Sequence, residues 1–129
     1  MPNFDSDKPY RLTFDHRPGY LYANVEGEED NYDISRRYWQ EIADECKAKK
    51  YKKVLVVEDI VECGTIAEAY QLCSEFPQMG YLGIKVAFVD RYLEQQEANQ
   101  FGELVAVNRG INVKVFNDVE SAEKWLLSL

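Results

Sequence analysis

The sequence has few of the side chains that bind metals or form disulfides. It contains three cysteines, Cys46, Cys63 and Cys73, and a single histidine, His16. The cysteines are odd in number and widely spaced, and they form none of the pairs that structural zinc sites use. A disulfide framework is equally unexpected in a cytoplasmic chain that is long enough to bury a core. We therefore predict no metal site, no disulfide and no cofactor.

Positive charge and long apolar runs are also scarce. The 129 residues include 15 basic and 23 acidic side chains, which gives a formal net charge of −8. A surface this acidic repels phosphate backbones, so general nucleic-acid binding is disfavoured. No apolar run approaches the roughly 18 residues that a membrane span needs, and the chain does not begin with a signal-peptide core. We expect a cytoplasmic protein without a membrane span.

The apolar patterns predict one α/β domain. Residues 1–9 have no periodicity and are predicted to be a loose lead-in, while residues 10–129 are predicted to share a single core. Two strand-like segments, Tyr10–Phe14 and Tyr20–Val25, flank a Pro-Gly turn and predict an antiparallel hairpin. Strand and helix patterns then alternate, which predicts parallel strands joined by right-handed crossovers. The expected fold is one mixed sheet with four packed helices, in the order ββαβαβαβα.

Each predicted helix has an apolar face and end signals. The acidic run Gly27–Asp30 precedes the first helix and complements its dipole. Pro77 and Gly80 are predicted to end the second helix, and Asp118 to cap the fourth. The side chains predicted to face the core are Ile34, Tyr38, Trp39, Ile42, Ala43 and Cys46, then Ile66, Ala69, Tyr70, Cys73 and Phe76, then Ala98, Phe101, Leu104 and Val105, and finally Val119, Ala122, Trp125 and Leu126.

The stretch Lys53–Tyr70 contains the best candidate site. Val54–Val57 is an unbroken apolar run, typical of a strand buried on both faces, and two acidic residues end it. A helical pattern begins soon afterwards. In open α/β sheets, sites lie at the carboxyl ends of strands and at helix N-termini. The candidate binding surface is the junction Glu58–Ile66, namely Glu58, Asp59, Glu62, Cys63, Gly64, Thr65 and Ile66.

Catalysis is not indicated at this junction. Glu58 and Asp59 are adjacent, so on an extended chain they point to opposite faces and make a poor carboxylate pair. Cys63 precedes a helix, where a thiol can become a reactive thiolate, but the neighbouring acids oppose that ionisation. A nucleophile also needs a base, and only His16, in a distant turn, is offered. We predict an inert cysteine and a protein that is not an enzyme.

The strands and the last helix resemble those of the SpoIIAA-like (STAS-like) family, which is related to anti-sigma-factor antagonists. The resemblance rests on Val54–Asp59 (VLVVED), Ile84–Asp90 (IKVAFVD) and the closing stretch from Arg109, with RGINVKVF followed by Asp118, Ala122 and Trp125-Leu126. It implies the family's fold and a regulatory role through binding a protein partner. In the antagonists, an aspartate and a phosphorylatable serine stand at the helix start.

The matching loop differs from the antagonists in its hydroxyl residue. It reads Glu62-Cys63-Gly64-Thr65, so Thr65 is the only side chain there that a kinase can modify. The resemblance therefore implies Thr65 as the candidate phosphorylation site. It also implies a protein partner, which the sequence does not identify. A homodimer through an apolar helix face or an edge strand stays open, since the pattern provides no register for one.

A second hypothesis comes from the aromatic content and from the family's likeness to a lipid-binding fold. The aromatic side chains that are candidates to line a gap between helices and sheet are Tyr38, Trp39, Tyr70, Phe76 and Tyr81. Such a gap would accept a small apolar ligand or a lipid. The competing interpretation is that these side chains fill the core, because protein interiors are close-packed.

Overall fold

The computed structural model describes residues 8–62 and 64–128. It contains five strands, one 3₁₀ turn (Leu93–Gln95) and four α-helices. The strands are β1 (Tyr10–Arg17), β2 (Tyr20–Glu29), β3 (Lys53–Glu62), β4 (Lys85–Asp90) and β5 (Asn112–Phe116). The helices are α1 (Tyr32–Lys49), α2 (Ile66–Met79), α3 (Gln96–Val107) and α4 (Val119–Leu126).

The five strands form one mixed sheet in the order β1-β2-β3-β4-β5. β1 pairs with β2 antiparallel, and β2 through β5 pair in parallel. The predicted mixed sheet and the predicted element order are therefore confirmed. Because the parallel strands progress in one direction through right-handed crossovers, α1, α2 and α3 cover the same face of the sheet. The helix that follows the last strand, α4, covers the other face.

β3 supplies both cores because its side chains alternate between the two faces of the sheet. Val54 and Val56 belong to the larger core under α1, α2 and α3. Leu55 and Val57 belong to the smaller core under α4. All four side chains are fully buried. The prediction of a strand buried on both faces is confirmed.

The helix ends follow local sequence signals, with two exceptions. Asp118 accepts a hydrogen bond from Ser121 N at 2.7 Å and caps α4, as predicted. Gly80 ends α2 with a φ of 109°, a conformation that glycine adopts without steric cost. Pro77 does not end α2 but lies inside its last turn. The acidic run Gly27–Asp30 was also misplaced, because its first three residues belong to β2 rather than to a helix start.

The predicted inward faces are right for α1 and partly wrong for α2 and α3. All six side chains predicted for α1 are buried. Four predicted inward residues are instead exposed, namely Ile66, Tyr70, Phe101 and Leu104. The buried face of α3 centres on Gly102, where an added Cβ would lie 3.0 Å from Cys73 Sγ. α3 therefore packs closely on α2 through a residue without a side chain, which a search for large apolar residues does not find.

Candidate functional site

A cavity of about 100 Å³ lies between the sheet and helices α1, α2 and α3. Its lining extends from the start of α2, at Gly64 and Thr65, down to the sheet. One part of the wall is apolar and is formed by Trp39, Ala69, Leu72, Cys73, Phe76, Phe88, Ala98, Gly102, Ala106, Val113 and Val115. Another part carries polar groups, among them Asp30, Tyr38, Glu58 and Asn99. The cavity thus has an apolar wall and an acidic wall.

Three carboxylates lie near this acidic wall because the parallel strands β2, β3 and β4 run towards the same edge of the sheet. Glu58 on β3 and Asp90 at the end of β4 are partners in the parallel register. Asp30 follows β2, and its amide donates to Glu62 O on β3 at 2.8 Å. Glu58 and Asp90 are only 6% and 5% exposed. Parallel strands end at the same edge of a sheet, so the topology brings together acids that are far apart in sequence.

Tyr38 on α1 connects two of these acids. Its hydroxyl lies 2.8 Å from Glu58 Oε2 and 2.7 Å from Asp30 Oδ2. A tyrosine hydroxyl has one proton to donate, so it cannot donate to both carboxylates at once. Both contacts are hydrogen bonds only if one carboxyl group is protonated and donates to the tyrosine oxygen. The geometry therefore requires a proton in addition to the one on Tyr38.

The environment favours the protonated form of Glu58 over that of Asp30. Burial raises the pKa of Glu58 well above its usual value, and the charges of Asp30 and Asp90 raise it further. Burial also raises the pKa of Asp30, but Ser35 Oγ donates to its Oδ1 at 2.6 Å and favours the ionised form. Glu58 lacks a comparable set of donors and is the better proton carrier.

Asp90 is held by groups from the segment that follows β4. Asn99 Nδ2 donates to Asp90 Oδ2 at 2.7 Å, and Tyr92 N donates to Oδ1 at 2.9 Å. Burial raises the pKa of Asp90, and these two hydrogen bonds oppose that shift. These two hydrogen bonds favour the ionised form of Asp90. The negative charge of Asp90 in turn raises the pKa of Glu58 on the neighbouring strand.

The start of α2 is fixed by a capping box. Thr65 Oγ1 accepts from Glu68 N at 3.1 Å, and Glu68 Oε1 accepts from Thr65 N at 2.9 Å. Glu68 Oε2 also accepts from Tyr32 N at 2.9 Å, which joins the first turns of α1 and α2. These backbone donors lower the pKa of Glu68. At Gly64 an added Cβ would lie 2.8 Å from Glu68 Oε1, so the loop is packed closely against the cap.

The predicted binding residues fall into two groups. Glu62, Thr65 and Ile66 are exposed, and Asp59 and Gly64 are partly exposed. Cys63 lies outside the described residues. Glu58 is buried, so its predicted place on a binding surface was wrong. The reason is that β3 does not end at Glu58 but continues to Glu62, which leaves Glu58 inside the sheet under α1.

The predicted aromatic gap is only partly present. Tyr38, Trp39 and Phe76 line the cavity. Tyr81 is fully buried and donates to Trp39 O instead. Tyr70 is 47% exposed and stacks on Phe101. Sequence reasoning also missed Asp30, Asp90 and Asn99 as parts of one cluster, although an acid directly after each apolar strand was a usable signal.

The remaining thiols and the histidine take no part in the cavity's acidic wall. Burial raises the pKa of both Cys46 and Cys73 to about 12, so both are neutral thiols. His16 lies in β1 rather than in a turn, 2.7 Å from Glu45 Oε2 and stacked on Tyr51.

Within residues 8–62 and 64–128, no three potential ligands are grouped as a metal ion would require. In the same ranges, no helix is long and apolar enough to cross a bilayer.

The similarity of this chain to known proteins is visible at the level of structure. No family model and no curated protein matches its sequence. A solved structure does match: an anti-sigma factor antagonist from Mycobacterium paratuberculosis, at 10% sequence identity and a TM-score of 0.64. The match covers 97% of this chain and 100% of that one. This chain therefore has the fold of an anti-sigma factor antagonist, as the resemblance of its strands implied.

Proposed function

We propose that this protein is a non-catalytic regulatory module that binds a protein partner in the cytoplasm. The proposed working surface is the segment from Asp59 to Ile66, which includes Cys63 by its position in sequence. The observation that carries the proposal is the exposure of Ile66, half accessible on the first turn of α2, in a chain with an antagonist's fold. An exposed apolar side chain on a rigidly capped helix is suited to a partner's surface.

The surroundings of Ile66 support the same surface. Val61 is 53% exposed at the end of β3, and Tyr70 is 47% exposed one turn further along α2. The guanidinium of Arg109 lies 5.5 Å from the Tyr70 ring centre, which holds that ring in place. An apolar patch with charged residues around it is typical of protein interfaces. The capping box keeps this patch ordered, so a partner would lose little entropy in binding it.

Phosphorylation of Thr65 is the proposed means of regulation. The Thr65 side chain is exposed and its Oγ1 caps α2. A phosphate would bring a charge of about −1.5 to −2 to this position. The helix N-terminus would favour that charge, but the carboxylate of Glu68 already accepts the Thr65 amide proton and would be repelled. The modification would thus break the capping box and change the surface beside Ile66.

Affinity capture with surface variants tests the proposal. Ile66→Asp and Thr65→Glu each place a charge on the surface, whereas Thr65→Ser keeps the capping hydroxyl and serves as a matched control. Leu127→Asp is a second control, because Leu127 is exposed at the end of α4, on the opposite face of the sheet. We expect the first two variants to lose the captured partner and both controls to retain it. Equal capture by all four folded variants would eliminate this surface.

A small apolar ligand is the second candidate function, and the cavity is the observation that favours it. At about 100 Å³ the cavity is smaller than the roughly 300–1,000 Å³ typical of sites for drug-sized ligands. A small molecule therefore suits it better than a lipid. Native mass spectrometry of freshly purified protein tests this function, since a carrier retains added mass that disappears on denaturation. A spectrum that shows only the mass of the chain would count against a carrier.

Self-association stays a prediction of the sequence. The exposed apolar residues shared by α2 and α3, such as Tyr70 and Leu104, support a helix-face dimer. Sedimentation velocity at several protein concentrations measures it directly. A single monomeric species at the highest concentration would refute a dimer under those conditions.

A further inference from the structure

We propose that the cavity binds a short alkyl ammonium ion, with the ammonium group at Glu58 and Asp30 and the hydrocarbon stem against the apolar wall. The inference begins with the side chain of Glu58, which lines the cavity and is 6% exposed. Its hydrogen bond to Tyr38 uses Oε2. Among the described residues, no hydrogen bond reaches its Oε1. This oxygen can therefore accept a hydrogen bond from a donor on a ligand in the cavity.

The charges around the cavity determine the sign of the ligand. Four acidic side chains line it, namely Asp30, Glu58, Glu68 and Glu103, and no lysine or arginine of the described residues does. Glu68 and Glu103 hold backbone amides at the start of α2 and on β5, away from the Tyr38 hydroxyl. Asp30 and Glu58 both contact that hydroxyl, so these two carboxyl groups lie close enough together to share one ligand. An anion would be repelled here, whereas a cation would be attracted.

The number of donors distinguishes an ammonium group from a neutral one. An ammonium group has three N–H donors and no acceptor. The site offers Glu58 Oε1 together with Asp30, whose two oxygens have about four lone-pair sites, of which Asn31 N, Ser35 Oγ and Tyr38 OH use three. An alcohol has one donor and carries no charge, so it satisfies less of the site. Charge-assisted hydrogen bonds are about twice as strong as neutral ones.

The volume and the opposite wall determine the rest of the ligand. A water molecule takes about 30 Å³ of liquid volume, and a cavity of about 150 Å³ is known to accept benzene. A cavity of about 100 Å³ therefore accommodates a ligand of about four to six non-hydrogen atoms. The stem would contact Leu72, Phe76 and Val113, which are apolar. A butyl chain with one ammonium group matches both the volume and the two kinds of wall.

Binding also exchanges protons in a definite way. The ligand enters as the ammonium ion, and the proton held by Glu58 leaves to solvent, so the pair that forms is ammonium and carboxylate. The groups that face Glu58 are Asp30 from the end of β2, Tyr38 from α1 and Asp90 from β4. Asp30 and Asp90 disfavour the charge of Glu58, whereas the hydrogen bond from Tyr38 favours it, and an ammonium ion would offset the effect of the two acids. We expect binding to strengthen as the pH rises, until the amine itself loses its proton.

This inference goes beyond partner binding and narrows the second candidate function from an apolar ligand to an apolar amine. Partner binding at Ile66 and amine binding in the cavity can each fail without the other. The capture experiment tests an exposed surface at Ile66, and the cavity experiment tests a buried carboxyl group. An apolar carrier without a preference for cations would retain the second candidate function and overturn the present inference.

Calorimetric titration with n-butylammonium, n-butanol and butyrate tests the proposal on the unaltered chain. The three probes have similar stems and differ in charge. We expect n-butylammonium to bind at least tenfold more tightly than n-butanol, and butyrate to bind more weakly than either. Equal binding of the amine and the alcohol, or no saturable binding of the amine, would overturn the proposal.

Two variants then locate the effect. Glu58→Gln keeps the shape and removes the charge, while Glu62→Gln removes an exposed acid at the end of the same strand. We expect the preference for the amine to disappear in the first and persist in the second. A preference unchanged in folded Glu58→Gln would contradict the assignment.

The same ammonium chemistry is available on a free amine and on a lysine side chain. Titration with Nα-acetyl-lysine methylamide separates the two sources, because its stem is the same length but carries a peptide unit. Binding that depends on Glu58 supports the proposal with either probe, and the tighter probe identifies the source. If both probes bind equally well to the unaltered chain and to Glu58→Gln, the proposal is overturned.

Discussion

Replacing Glu58 with glutamine is expected to change how the stability of the fold depends on pH. Burial and the charges of Asp30 and Asp90 hold the folded pKa of Glu58 well above its unfolded value, for which 4.5 is the reference. The folded state therefore binds this proton more tightly than the unfolded state does. The stabilisation is complete below the unfolded pKa and is lost as the pH rises through the folded pKa.

The slope follows from proton linkage. While Glu58 is protonated in the folded state and ionised in the unfolded state, each pH unit lowers the free energy of unfolding by about 1.4 kcal/mol. The loss begins above the unfolded pKa and continues until the pH reaches the folded pKa. Glutamine does not titrate, so the variant lacks this loss. It keeps the smaller contributions of Asp30 and Asp90, whose pKa values are also raised.

Urea denaturation at pH 5, 6 and 7 measures the effect, with the fluorescence of Trp39 and Trp125 as the probe. We expect the variant to gain stability relative to the unaltered chain as the pH rises, by up to about 1.4 kcal/mol per pH unit. Glu62→Gln is the control, because it removes an exposed acid from the end of the same strand. Parallel pH profiles for Glu58→Gln and the unaltered chain would refute a buried, protonated Glu58.

Three further variants test the contacts around the cavity. Tyr38→Phe removes the hydroxyl between Glu58 and Asp30 and should cost about 1–3 kcal/mol by urea denaturation at pH 7; no loss would show that the bridge is not formed. Thr65→Ala should cost about 1 kcal/mol through loss of the helix cap, and Thr65→Ser much less; similar losses in both would argue against the capping box. Gly102→Ala should be less favourable with Cys73 present than in a Cys73→Ala background, by about 1–2 kcal/mol in a double-mutant cycle; additive effects would show that α3 can move away.

Several features of the fold were predictable because their causes are local. The apolar run Val54–Val57 is buried on both faces, as its composition indicates. The four-residue spacing of Ile34, Tyr38, Ile42 and Cys46 defines the buried face of α1. Asp118 caps α4 through a hydrogen bond that spans three residues. In each case the residues that carry the signal also make the contact, so neighbouring sequence is sufficient.

The buried faces of α2 and α3 were predicted less well because each helix has two packing surfaces, one against the sheet and one against the other helix. Both helices pack on the sheet and on each other, and the close contact uses Gly102 and Cys73. Glycine has no apolar side chain and so adds nothing to a hydrophobic pattern. Phe101 and Leu104 have the strongest apolar signal in α3 and are nevertheless exposed. Helical periodicity finds apolar residues, but it does not report how closely two helices approach.

Some features of the candidate site were likewise predictable from local sequence, and others depended on tertiary packing. By itself, the sequence determined the order of strands and helices, the position of the loop before α2 and the presence of the Thr65 hydroxyl in that loop. Only the tertiary structure decided that Asp30 and Glu58 meet beside Tyr38 and that Asp90 pairs with Glu58, because parallel pairing places residues from distant parts of the chain side by side. It also decided that Glu58 is buried rather than presented to a partner, since β3 continues beyond it. Burial and charge proximity depend on the packed fold, so the raised pKa of Glu58 follows from tertiary structure alone.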